Sequence, residues 1–541
     1  MSARSRKVGP SYRRFGVDSV TGVGEAVQGD SRKWFALAIL CVSLLMISLD
    51  STVLNVALPT LVRDINATTT ELQWIVDSYV IVYAGLLLTI GSVADRIGRK
   101  RVFQMGLAVF AIGSTWAAFS GSSDVLIAAR AFMGLGGAGM MPSTLSIITG
   151  MFNNDNERQR AISIWSATAG IGLAIGPIVG GILLAHFWWG SVFLINLPIA
   201  IIGILLSMPI LPESKDPAAR RPDPNGAILS VIGLGLVLWA LIEAPVRGWS
   251  SPYVAAVGAV GLVLLAVFVL FERNSSHPML NLDFFRNRRF SASVSSVGLV
   301  SFGLVGSLFV LTQYLQFNLG YTALETGVRV LPSAAAIAVV APISAIAVRY
   351  VGTKVTAAAG LVLVAGGLWQ ISGATVATTY GGVVFGMVLL GVGMGLVIPS
   401  ATESVMGSLP SGHTGVGSAV NGTFLQAGGA LGVAVIGSLM ATRYQDRMAS
   451  ALAGYQISGE IMHLITGSVG GALEVASQLG GSLGAALAGA AKSAFVSGMD
   501  LGLVTGALCA LVGALVVVVF LPNRPPSSNS SKSAKGTDTS V

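Results

Sequence analysis

The chain has 541 residues, 53% of them hydrophobic and only 10% charged, with a net charge of +8. Soluble domains carry about 25% charged residues, so a water-soluble globule is excluded, and the gathering of cations in loops and tails argues against a nucleic-acid surface. Cys41 and Cys509 lie in apolar runs and the four histidines (His186, His277, His413, His463) are scattered, so no disulfide framework, metal site or bound cofactor is expected.

In chain order, residues 1–33 hold seven Lys/Arg and no apolar run, which predicts a solvated tail rather than a signal peptide. Apolar runs near 20 residues long then predict fourteen transmembrane helices. They fall at 34–54, 73–94, 102–120, 124–150, 160–185, 190–211, 225–245, 252–271, 290–316, 327–348, 353–374, 379–403, 415–442 and 499–521. The grouping is six, two and six: a bundle over 34–211, two extra helices over 225–271, and a second bundle over 290–521. Within the second bundle, 443–498 is expected as one long outer loop whose Ala/Gly/Ser-rich centre forms one or two amphipathic helices. Residues 522–541, rich in Ser, Pro and Lys, form a second tail. With an even number of spans both tails share a side, and that side's five basic loops hold fifteen Lys/Arg against six on the other. Both termini are therefore expected in the cytoplasm.

The two bundles repeat one another. Gly134-x-Gly136-x5-Pro142-Ser143 recurs as Gly391-x-Gly393-x5-Pro399-Ser400, and Gly172, Gly176 and Gly181 recur as Gly428, Gly432 and Gly437. Gly98 and Lys100 match Gly352 and Lys354 at almost the same offset. Two pseudo-symmetric halves around a midplane cavity are the design of secondary transporters.

Few charges lie inside the spans, and each needs a partner or a function. Asp50 stands in Ile47-Ser48-Leu49-Asp50-Ser51-Thr52 of the first helix. It suits either a proton-exchanging carboxyl lining a cavity or a helix-end acid in the outer headgroups, bonded to Ser51 or Thr52. Asp77 follows Trp74 by three residues, so an aromatic and a carboxylate share one helix side, with Tyr79 nearby. That pairing suits a lipophilic cation, or equally an interfacial aromatic belt beside a wet acid. Arg130 stays charged in lipid, and Asp50 is its natural partner across the first and fourth helices. Glu243, Glu403 and Asp500 sit at helix ends and are expected at the interface.

Between the second and third spans, Gly91-Ser92-Val93-Ala94-Asp95-Arg96-Ile97-Gly98-Arg99-Lys100-Arg101 packs five charges into a short turn at a membrane surface. Topogenic charge explains the cations but neither the acid nor the glycines. Asp95 at a helix end suits a cytoplasmic latch that breaks as a cavity opens inward. In the fifth span, Gly172, Gly176, Pro177, Gly180 and Gly181 combine close helix contact with a kink.

These stretches resemble the major facilitator superfamily. The basic turn is similar to its loop pattern G-x-x-x-D-R-x-G-R-[RK], and Arg130-x3-Gly134-x-Gly136 to its helix-4 pattern. The Leu49–Pro59 run, Trp74-Ile75-Val76-Asp77-Ser78-Tyr79 and the Trp189–Pro198 run resemble the fourteen-helix drug:proton antiporters, the QacA/EmrB-like multidrug exporters. The fifth-span glycines resemble the antiporter pattern G-x-x-x-G-P-x-x-G-G. The resemblance implies an all-α membrane protein of the major facilitator fold, with 14 transmembrane helices, that exports amphipathic, mainly cationic drugs in exchange for protons. Asp50 and Arg130 would couple protons; Asp77, Trp74 and Tyr79 would bind substrate; Gly91, Asp95, Arg96, Gly98, Arg99 and Lys100 would gate. The expected partners are small lipophilic substrates, protons and the bilayer, with the chain acting as a monomer in the cytoplasmic membrane and binding no nucleic acid. The tenth helix offers no acid, which disfavours divalent cations. A Walker A loop is missing, so ATP-driven pumping and enzyme chemistry are disfavoured. A dedicated exporter of one metabolite stays open, and the fifth-span pattern argues against a proton-symporting importer.

Overall fold

A computed structural model describes residues 30–152, 154–215, 222–275, 278, 280–409 and 414–521. The tails expected at 1–33 and 522–541 lie outside the described residues, except for 30–33, which already belong to the first helix. The described chain is helical: α1 (Asp30–Ile65), α2 (Thr69–Ile97), α3 (Arg99–Ala118), α4 (Ser123–Met151), α5 (Asp155–His186), α6 (Ser191–Leu194), α7 (Asn196–Ile210), α8 (Pro224–Arg247) and α9 (Pro252–Asn274). Then follow α10 (Arg288–Gln313), α11 (Ala323–Arg329), α12 (Leu331–Ser372), α13 (Tyr380–Met406), α14 (Thr414–Ala451), α15 (Gly459–Gly467), α16 (Val469–Leu479) and α17 (Gly481–Phe520).

Among the described residues, twelve helical runs are long and apolar enough to cross a membrane. Two features bear on that count. α3 begins with Arg99, Lys100 and Arg101 and stands outside the twelve. The 42-residue run of α12 is two helices joined at Gly352, whose φ of 84° breaks the helical path. The stretch 443–498, read from hydropathy as one outer loop, is largely helical. α14 continues to Ala451, α17 starts at Gly481, and α15 and α16 lie between them. Alanine gives little insertion energy but is the best helix former, and Gly498 and Gly502 seat α17 closely on Met440 and Ile436 of α14.

The sequence repeat is a repeat of contacts. Gly106 of α3 meets the Gly136 carbonyl of α4, and Gly360 of α12 meets the Gly393 carbonyl of α13 in the same way. Gly98 (φ 126°) and Gly352 (φ 84°) make matching left-handed breaks that residues with a Cβ rarely adopt. Gly172, Gly176 and Gly180 press α5 against Ser48, Thr52 and Val53 of α1, while Gly428 and Gly432 press α14 against Gly298 and Phe302 of α10. The third glycine of each set faces the opposite half, Gly181 against Leu324 and Gly437 against Gln73.

The halves meet at the end of the bundle away from the basic turn. Gln73 donates to the Val433 and Ala434 carbonyls and to Ser438 Oγ of α14, at 3.0, 3.1 and 3.2 Å. Gln316, in a π turn after α10, donates to the Val56 carbonyl of α1 at 2.9 Å. Gly327 of α11 packs on the Pro177 carbonyl of α5, and Gly470 of α16 on Val62 of α1. Toward the basic turn, α5 exposes Gln159, Ser163 and Ala167, and α12 exposes Ile343, Ile346 and Tyr350. Away from the basic turn the halves are thus tied by polar contacts; toward it α5 and α12 expose these faces while α2 and α14 still touch at Leu87 and Gly422. α8 lies across the α2–α14 seam, where Ile81, Leu238, Ile242, Ala430 and Ala434 form one apolar cluster.

Gln73→Leu should loosen the end away from the basic turn, since each neutral hydrogen bond contributes about 0.5–1.5 kcal/mol net. Spin labels at Asp64 and Arg443, exposed at that end in opposite halves, should show a distance distribution broadened toward longer values. An unchanged distribution would mean that apolar packing alone holds the end shut.

Candidate functional site

Asp50 stands mid-way along α1, 3% exposed, and Arg130 in the second turn of α4, 1% exposed. Their side chains pair at 2.6 Å, Arg130 Nη1 to Asp50 Oδ2. The guanidinium also donates through Nε to the Ile75 carbonyl of α2 at 3.1 Å. The Tyr79 ring lies 4.5 Å from it and the Phe193 ring 5.9 Å. The second carboxylate oxygen, Asp50 Oδ1, accepts from Asn196 Nδ2 of α7 at 3.1 Å. Asn196 Nδ2 also donates to Ser114 Oγ of α3 at 3.0 Å. Six helices, α1 to α4 with α6 and α7, therefore converge on one ion pair. Glycine makes the approach possible, because a Cβ at Gly134 or Gly137 would collide with α2 at Tyr79 and Tyr83. Two opposite charges with most of their bonds filled can persist in apolar surroundings, where either alone is costly.

The Asp50–Arg130 pairing was legible, because each was the other's natural partner in the first bundle. Asn196 and Ser114 were missed. An uncharged amide two residues before Pro198 carries no periodic signal, and only its polarity inside an apolar helix could have marked it.

Trp74, Asp77 and Tyr79 do not share one pocket. At 100° per residue, Tyr79 lies about 200° round the helix from Asp77, and it stacks on Tyr83 at 5.6 Å beside Arg130. Trp74 Nε1 points to α8 and donates to Glu243 Oε1 at 3.3 Å, while Glu243 pairs with Arg247 at 3.0 Å. Asp77 is 0% exposed, one turn beyond Gln73, and among the described residues neither carboxylate oxygen has a hydrogen-bond partner.

In the basic turn Asp95 pairs with Arg99 at 2.8 Å, four residues on and within the same half. The turn is anchored by Glu213, which the sequence reading passed over as a loop residue. Its carboxylate accepts from the Lys100 amide at 3.2 Å, lies 3.6 Å from Arg101 Nε and fills the space beside Gly98. Lys100 Nζ donates to the Met208 carbonyl at 2.6 Å. Gly91 touches Pro142 of α4, and Arg96 is exposed. Of the fifth-span motif, Gly172, Gly176 and Gly180 seat α1, whereas Gly181 and the Pro177 carbonyl meet α11 of the other half.

Removing one partner of a buried pair costs about 3–5 kcal/mol, while replacing both with neutral groups is often close to neutral. Arg130→Met should lower the thermal unfolding midpoint of the purified protein. Asp50→Asn combined with Arg130→Met should recover most of that loss. Additive losses in the double variant would show that the two residues act apart.

A family model described as the Major Facilitator Superfamily matches residues 40–433. The chain is 36% identical over 459 residues to the multidrug efflux pump LfrA of Mycolicibacterium smegmatis, covering 85% of this chain and 90% of that one. It is 34% identical over 418 residues to the tetracenomycin C resistance and export protein of Streptomyces glaucescens, covering 77% of each. It is 31% identical over 452 residues to the methyl viologen resistance protein SmvA of Salmonella typhimurium, covering 82% and 90%. Among solved structures, a bacterial homologue of the human lysosomal transporter Spinster, inward-facing and unoccupied, superposes with a TM-score of 0.63 at 16% identity. That match covers 92% of this chain and all of the other. From the family match and from relatives above 30% identity along most of its length, the chain belongs to the major facilitator superfamily, among its drug exporters.

Proposed function

We propose that the chain is a proton-coupled antiporter that exports amphipathic, mainly cationic compounds across the cytoplasmic membrane by alternating access. The observation that carries this reading is the buried Asp50–Arg130 pair, set in a bundle whose halves are tied by polar contacts away from the basic turn. Relatives named for efflux of several drugs, tetracenomycin C and methyl viologen support the substrate class. The break at Gly352, taken as dividing α12 into two spans, and α3 taken as a further one support a reading of fourteen spans as in the QacA/EmrB-like subfamily, arranged as six, two and six. The basic turn belongs at the cytoplasmic surface by its charge, so both termini are cytoplasmic and that end opens inward. The chain works as a monomer.

In this reading the closed outer end and the intact pair belong to the state that has released its proton inward and awaits substrate. When the outer end opens, a proton reaching Asp50 neutralises the carboxylate and ends its attraction for Arg130, which keeps its own charge and its Ile75 acceptor. Asp77, unpartnered beside the α2–α14 seam, supplies negative charge to a cation when that seam parts. Tyr79 serves Arg130, and Trp74 ties α2 to α8. Asp95, Arg96, Arg99 and Lys100, with Gly91 and Gly98, set the gate at the inner surface. The name of the tetracenomycin relative favours a second reading, export of one dedicated compound.

The test is proton movement in liposomes. Adding tetraphenylphosphonium to reconstituted protein should release protons, and a pH gradient should drive its uptake. Asp50→Asn should abolish the gradient-driven flux while leaving the protein folded. Flux unaffected by that change would exclude Asp50 as the coupling group. Asp77→Asn should weaken binding of the cation at least severalfold more than that of a neutral compound of similar size. Equal losses for both would remove Asp77 from the cation site.

A further inference from the structure

The amide of Asn196 is used on one side only. Its Nδ2 spends both hydrogens, one on Asp50 Oδ1 at 3.1 Å and one on Ser114 Oγ at 3.0 Å. Its Oδ1 is buried and has no hydrogen-bond partner among the described residues. Asn196 itself is 0% exposed, so no bulk water replaces the missing partner. An idle buried acceptor beside a carboxylate is costly in a resting structure, and it becomes useful once the carboxylate gains a proton.

A carboxylate accepts hydrogen bonds only, whereas the protonated acid must also donate one. The groups facing Asp50 are the Arg130 guanidinium from α4, the Tyr79 phenol from α2 and the Asn196 amide from α7, with Ser114 of α3 behind the amide. Arginine has no acceptor to offer. Tyr79 Oη and Asn196 Oδ1 are both buried acceptors without a hydrogen-bond partner among the described residues, and Asn196 is the one already bonded to Asp50.

The geometry points to Asn196 as a positioning residue that answers the protonation state of Asp50 by turning its amide. In the carboxylate state the NH2 group donates to Asp50 Oδ1 and to Ser114 Oγ, as seen. When a proton from solution binds Asp50, the amide rotates by half a turn about its terminal bond. Asn196 Oδ1 then accepts from the new Asp50 O–H and from the Ser114 hydroxyl. That hydroxyl, which lies 3.8 Å from the weak acceptor Met133 Sδ, swings over to donate. One rotation exchanges two donated bonds for two accepted ones and carries the two N–H groups to the side that Oδ1 vacates; no covalent bond changes other than the O–H formed on Asp50, and Arg130 is released. The proposal rests on Asp50 being the proton carrier.

The test is acid-minus-neutral infrared difference spectroscopy of the whole protein in lipid. The carboxylic C=O band of Asp50 is identified as the one lost in Asp50→Asn. In Asn196→Leu, which keeps the volume and removes the amide, that band should move to higher frequency, and the pH midpoint of transport should shift. Asn196→Gln, which keeps the amide on a longer stem, should partly restore both. If Asn196→Leu does not fold, Asn196→Ala supplies the same comparison, and Ser114→Ala should leave the Asp50 band within its wild-type range. A wild-type Asp50 band whose frequency ignores Asn196→Leu and Asn196→Ala overturns the amide switch and leaves the proton reading standing. The absence of any Asp50 band overturns both.

Discussion

A buried ion pair in an apolar bundle is the constraint on which the first half depends. Neither Asp50 nor Arg130 can be solvated where it sits, so helices must bring groups to them. α2 gives a carbonyl and a ring, α3 a hydroxyl, and α7 an amide. The glycines of α4 follow from the same need, because Arg130 reaches α2 only if the next turn lies flat against Tyr79. The second half has the same helix contacts without the charge. The repeat offset that aligns Gly134 with Gly391 puts Met387 opposite Arg130, and Met387 is fully buried in an apolar setting. Two halves that pack alike therefore differ in chemistry, and the buried charge pair belongs to one of them.

The seam between the halves is also doubled. The offset that aligns Gly98 with Gly352 aligns Gln73 with Gly327. Gln73 seats on α14 at Gly437, and Gly327 seats on α5 at Pro177. These are two versions of one contact, on opposite sides of the bundle. Only the α2–α14 version is covered by α8, which touches both halves and is tied to α2 at each end. Trp74 bonds Glu243, Thr89 Oγ1 bonds the Asp223 carbonyl, and Val231 fills the space over Gly85. Toward α14 the contacts are small apolar residues, Ala430 and Ala434, with one hydrogen bond from Trp249 to Thr442.

Much of this was legible because lipid leaves a chain few choices. The repeat could be read from glycines, since two backbones approach closely only where side chains are missing, and those positions must recur if the contacts recur. Asp50 and Arg130 could be paired because opposite charges in one apolar bundle must find each other. What failed was direction. That Trp74 and Asp77 lie three residues apart says they are neighbours on a helix, not which neighbouring helix each meets, and α8 took one while the α14 seam covered the other. Asn196 and Glu213 stayed hidden because a neutral amide and a loop acid break no rule of hydropathy. Two helices, α15 and α16, stand where one or two were expected after residue 443, while the runs of α14 to Ala451 and of α17 from Gly481 were not legible, because insertion energy and helix propensity are different quantities, and alanine is poor in the first and best in the second.

The ion pair and the seams adjoin. Arg130 holds the Ile75 carbonyl, two residues beyond Gln73, so the first turns of α2 bear both the pair and one seam. Thr52, two residues after Asp50, lies against Gly176 of α5, and the next carbonyl on α5, that of Pro177, meets Gly327 of the other half. A change at Asp50 therefore reaches both seams within about one helical turn, along α2 and along α1 with α5. A ligand shifts an equilibrium only by its differential affinity for the two states. In the proposed function a proton on Asp50 would have such a difference built in, because its gain would end the attraction between Asp50 and Arg130 that joins α1 to α4. The second half offers Gly437 and Gly327 as the surfaces on which Gln73 and the Pro177 carbonyl of the first half seat.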